Sequence, residues 1–209
     1  MKRMSLVMAI FLSGALISYA DQISIQQGPR QGYRVPQRQL TEYVPRQQPF
    51  SVGMSPAMLA LATPLQLPSA NWDVAGLRIN IFYGECVNFY GLDISALVGR
   101  SRGEAAGLQI AAIANIVNGN CTALQIGTVN VVEGDFAGMQ IGVANYAASL
   151  PGSEAQTWQI GVFNGGGTVK GFQLGLINYT EAMVGVQLGL INIIANKDVS
   201  FLPIINAAF

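Results

Sequence analysis

Two side-chain amides recur along this chain at a fixed phase. Glutamine stands at Gln109, Gln125, Gln140, Gln159, Gln173 and Gln187, and asparagine at Asn130, Asn145, Asn164, Asn178 and Asn192. Each amide carries two donors and an acceptor oxygen with two lone pairs. A row of them can read sugars or peptides, or it can saturate itself by bonding neighbour to neighbour. The second use is the expected one, because buried polar groups normally find protein partners.

Little else in the chain could form a reaction centre. There is no histidine, which excludes Ser-His-Asp and Cys-His arrangements and His-ligated metals. The acids are scattered and mostly fall in predicted turns, where solvated carboxylates are expected. Glu133-Gly134-Asp135 supplies too few oxygens for calcium. Gly165-Gly166-Gly167 lacks the Lys-Ser/Thr of a phosphate loop. No catalytic residue, metal ligand or cofactor is therefore expected. Arg78 and Asp93 occupy the glutamine position in the first two repeats, and opposite charges at one position of adjacent strands predict a cross-strand pair. Cys86 and Cys121 make no zinc site. Export would permit a disulfide between them, with two separate buried thiols as the alternative.

The amides belong to a repeated phrase. It reads GLRINIFY from Gly76, GLDISALV from Gly91, GLQIAAIAN from Gly107 and ALQIGTVN from Ala123. GMQIGVAN, TWQIGVFN, GFQLGLIN and GVQLGLIN follow from Gly138, Thr157, Gly171 and Gly185, with a degraded copy from Ser200 to Phe209. Start-to-start spacings are 15, 16, 16, 15, 19, 14, 14 and 15. A fixed period predicts an array of one supersecondary unit. Within each phrase, apolar residues alternate with Gln and Gly, the period of a β-strand. Two glycines in eight residues disfavour a helix. The aliphatic stripe, Leu174 and Leu188 included, is expected to bury itself against neighbouring strands.

One turn signal separates most copies, as at Asn118-Gly119. The predicted fold class is therefore all-β, a tandem array of about nine short strands in an antiparallel meander. Closure into a barrel would remove its two long edges. The alternative is a parallel β-solenoid with one repeat per coil, which would stack the amides in ladders.

Three segments are expected. Residues 1–20 read as a signal peptide: Lys2 and Arg3, an apolar run, then Ser18-Tyr19-Ala20 before the cut. Residues 21–69 are a Gln/Pro/Arg-rich linker or tail, with an apolar lead-in at residues 56–68. Residues 70–209 form the β-repeat domain. Cleavage would take Lys2 and Arg3 from the 11 basic residues, leaving 9 against 11 acidic, a net of −2. That is no footprint for nucleic acid. Charged residues make up only 11% of the chain and hydrophobic ones 51%.

The phrases GMQIGVAN, GFQLGLINY and GVQLGLINI, with LPSANWDVAGLRINIFYG before them and LPIIN after, resemble the exported bacterial surface-repeat proteins built from G-x-Q-[IL]-G-x-x-N units. The likeness spans about Leu67 to Phe209. The third copy carries one inserted residue, and the first two lack the Gln and the terminal Asn. The resemblance implies a surface or envelope location and no enzyme or cofactor. The function expected is a non-catalytic structural or interaction protein of the cell envelope, exported to the outer membrane or cell surface, with envelope components as partners. An integral outer-membrane barrel acting as a pore or small-molecule binder is the alternative.

Overall fold

Alternating strands carry their side chains to the two faces of the sheet and leave both edges free to pair, and here they pair in parallel. The computed structural model describes residues 49–149, 152–153 and 155–209. The signal peptide and most of the expected linker lie outside the described residues. Thirteen strands are present among the described residues: β1 (Met54–Ala62), β2 (Leu65–Leu67), β3 (Asp73–Cys86), β4 (Phe89–Ser95), β5 (Val98–Ser101), β6 (Ala105–Val117), β7 (Cys121–Val132), β8 (Phe136–Ile141), β9 (Ala144–Ala147), β10 (Gln156–Ile160), β11 (Phe163–Leu174), β12 (Ile177–Ile194) and β13 (Phe201–Ala208).

The path β1-β3-β4-β6-β7-β8-β10-β11-β12 is parallel throughout, and equivalent repeat positions are in register: Asp93 opposite Gln109, Gln109 opposite Gln125, Gln159 opposite Gln173. A second parallel set runs through the later half of each repeat, with β5 between β3 and β6 and β9 between β7 and β11. The fold is therefore the parallel β-solenoid with one repeat per coil, nine levels high. The antiparallel meander and its barrel are corrected. Only the ends pair antiparallel, β2 on β1 and β13 on β12.

The meander reading failed for a physical reason. A coil needs a second bend, and each repeat makes it without a turn dipeptide. The chain bends after the second glycine of the phrase, as at Gly142-Val143, and the asparagine of the preceding coil holds that bend from inside, Asn130 Nδ2 donating to the Ile141 carbonyl. The lead-in at residues 56–68 forms part of β1 and β2, so the array starts near Met54, inside the segment expected to be linker.

Burial reverses the expected facing. The interior columns hold Gln and Asn, together with small or apolar residues. One column is Val74, Phe89, Ala105, Cys121 and Phe136, all buried and in register. The aliphatic residues flanking each Gln point outward, and Leu174 is 43% exposed. Cys86 and Cys121 are free and buried, so the expected disulfide is not formed. Phe89, three residues past Cys86, lies two coils below Cys121 in one register column. Two coil rises are about 9.6 Å, beyond the roughly 4.4–6.8 Å Cα span of a disulfide.

Candidate functional site

The repeat's polar residues form two continuous hydrogen-bond ladders inside the solenoid. Gln125 Nε2 donates to Gln109 Oε1, and Gln140, Gln159, Gln173 and Gln187 each donate to the glutamine one coil earlier, at 2.6–2.9 Å. The asparagine ladder runs the other way. Asn115 Nδ2 donates to Asn130 Oδ1, and each asparagine on to Asn192 accepts from the one before it, at 2.8–2.9 Å. The two rows of amide dipoles therefore oppose one another along the stack. All of these side chains are at most 1% exposed.

The second N–H of each amide explains its place in the phrase. Each asparagine donates to the carbonyl that precedes the next coil's bend: Asn130 to Ile141, Asn145 to Ile160, Asn164 to Leu174 and Asn178 to Leu188, at 2.9–3.0 Å. Gln140, Gln159 and Gln187 reach across the coil to the carbonyl six residues on, at Tyr146, Gly165 and Ile193. Glutamine thus joins the two halves of one coil, and asparagine ties each coil to the bend of the next.

Glycine makes room for both. Gly138, Gly171 and Gly185 have φ near +140°. At the second position, a Cβ on Gly142 would stand 2.2 Å from the Gly127 carbonyl oxygen and 2.8 Å from Asn130 Nδ2.

The first two copies of the phrase solve the same packing problem with different residues. Arg78 and Asp93 occupy the glutamine column, and Arg78 Nη2 lies 2.5 Å from Asp93 Oδ2 with both side chains fully buried. The cross-strand pair expected from the sequence is present. Arg78 also donates to the Arg100 carbonyl and lies 4.6 Å over the Phe89 ring. Burial pulls its pKa down, but Cys86, Asp93 and their hydrogen bonds outweigh that and leave it raised. Burial pushes the Cys86 thiol up, so Asp93 is the charge that matters.

Asn80 and Ser95 sit where later coils have the second glycine, while Gly84 and Gly99 align with Asn115. A Cβ on Gly84 would meet the Asn80 amide. Each bend holds one polar side chain, supplied from one strand or the other. Asn115 joins the ladder although the inserted residue hid it in the sequence, because an irregularity between Ala111 and Ala114 absorbs the insertion.

The predicted amides are thus brought together but withdrawn from solvent. Gln109 Nε2 and Gln187 Oε1, at the two ends of the glutamine ladder, are buried without a hydrogen-bond partner. Among the described residues no group of three His, Cys, Asp or Glu could hold a metal ion. What the solenoid displays instead is aliphatic. The two residues flanking the glutamine position are apolar in all eight copies, from Leu77 and Ile79 to Val186 and Leu188. The adjoining bend continues the band: Ile113 is 48% exposed, Val143 48%, Leu176 52% and Leu190 66%. A shallow trough runs along it, with glycines for a floor and walls that include Ile141, Val143, Leu174 and Leu176. Ion pairs lie elsewhere, where Glu85 meets Arg100 at 3.7 Å and Arg102 at 3.1 Å.

No family model, no curated protein and no solved structure matches this chain.

Proposed function

We propose that the chain is a non-catalytic structural and interaction protein of a bacterial cell envelope. One observation carries the non-catalytic part. The repeated polar residues, which are the chain's main chemical resource, bond to one another at essentially zero exposure, and so present no group to a substrate. A rigid stack with an uncharged aliphatic band is suited to association. The envelope part rests on the signal-like residues 1–20 and on the resemblance to exported surface-repeat proteins. Buried side chains filling the solenoid interior support this reading over the pore alternative, which was argued from a barrel.

Cell fractionation tests this reading. The protein is expected with the envelope, its first residues removed, and released by carbonate or salt. Recovery from the cytoplasm with the N-terminus intact contradicts it.

A further inference from the structure

We propose that the aliphatic sheet face and its bend form a homodimer interface, on which a second copy of this chain docks face to face. This deepens the association reading above by naming the partner. It takes nothing from the compartment assigned there.

Size is the first argument. The face spans eight levels and three outward positions, roughly 34 Å by 20 Å, or ~700 Å². The largest apolar patch of a typical monomer is about 300–600 Å², whereas a standard interface buries about 800 Å² on each partner.

Charge is the second. No charged residue lies in the two columns beside the glutamines or in the bend, so two copies meet without desolvating an ion. The described residues carry more Asp and Glu than Lys and Arg. Adsorption to an anionic bilayer calls for the opposite balance.

Shape is the third. The trough is floored by Gly142, Gly161 and Gly175, and its ridges repeat at the strand spacing of about 4.8 Å. Another array of the same pitch fits it. The backbone here is already paired within the sheet, so the partner need supply side chains only. Two such faces would stack about 10 Å apart, related by a two-fold axis.

Sedimentation of the purified full chain tests the proposal. The wild type is expected at twice the mass of one chain. Leu124→Glu/Phe172→Glu places charges on two levels of the face and is expected to weaken association at least ~100-fold. Ile116→Glu, on the other sheet, should leave it unchanged. Far-UV circular dichroism checks that both variants fold. Hydroxyl-radical footprinting needs no variant: oxidation of Met139 and Trp158 should fall as wild-type concentration rises. A monomer up to ~100 µM overturns the proposal, as does a dimer indifferent to the face variant or equally lost with Ile116→Glu. Unchanged footprints overturn it too. A monomer that floats with phosphatidylcholine/phosphatidylglycerol vesicles assigns the face to lipid instead. A dimer found in the cytoplasm would sink the envelope reading alone, and an envelope monomer would sink the dimer alone.

Discussion

Arg78 reaches one coil up the stack to Asp93 with 2.5 Å between Nη2 and Oδ2, in the column that glutamines fill for the rest of the array. The pair is a charged substitute for two rungs of an amide ladder. Its value depends on both members, since a lone buried charge is far costlier than a matched pair.

This gives the first prediction. Asp93→Gln alone strands the Arg78 guanidinium and should cost about 3–5 kcal/mol in chemical denaturation. Arg78→Gln/Asp93→Gln extends the ladder by two rungs and gives Gln109 Nε2 an acceptor. The double variant should return to within ~1 kcal/mol of wild type, the strong coupling expected of contacting residues. A double variant no more stable than the single one would break the equivalence of the two devices.

Position within the ladder should matter for glutamine. Gln140 donates to Gln125 and Tyr146 and accepts from Gln159, whereas Gln187 donates twice and accepts from nothing. Gln140→Ala should therefore be more destabilising than Gln187→Ala by ~1 kcal/mol, about one hydrogen bond. Equal midpoints and slopes in urea would show that the rungs are energetically independent.

The second glycine of the phrase should be intolerant of a methyl group. A Cβ on Gly142 meets a carbonyl oxygen at 2.2 Å, while one on Gly152 meets nothing within 4 Å. Gly142→Ala should lower stability by ~3 kcal/mol or more. Gly152→Ala should cost ~1 kcal/mol, through its φ of +90°. Thermal melts showing similar losses would mean that the bend has slack.

Much of this was legible in the sequence, for identifiable reasons. The period located every coil from Gly76 on, and alternation made each phrase a strand. The amide ladders followed once parallel stacking was allowed, and the Arg78–Asp93 pair followed from opposite charges at one phase. Strand direction was hidden because the second bend is built from Gly142 and Asn130, residues two coils share, rather than from a local turn dipeptide. The facing was misread because an aliphatic stripe normally marks a core, whereas here the amides satisfy one another and occupy it. Asn80 and Ser95 escaped notice because they exchange places with Gly84 and Gly99 across the bend, a compensation visible only in cross-section.

The cysteines should behave as inert core residues until alkali reaches them. Burial pushes the Cys121 thiol from 9.0 up to about 12, and Cys86 is raised as well. The folded state then holds a proton that the unfolded state releases above pH ~9, so this stabilisation is complete below that pH and declines as pH rises toward ~12. The slope per thiol is at most ~1.4 kcal/mol per pH unit. Cys121→Ala should flatten the decline between those limits. Native protein should resist alkylation at both positions and react at both when unfolded. Rapid labelling of the native state would contradict their burial.

The stacking of repeats is tested most directly by the distance between nitroxide labels at Leu77→Cys and Val186→Cys, since the native thiols are buried. The two positions occupy one register column, seven coil steps apart. Double electron–electron resonance should give a separation of roughly 34 Å between backbones, broadened by the label arms. A closed barrel brings its first and last strands together, so a distance under roughly 20 Å would contradict the solenoid.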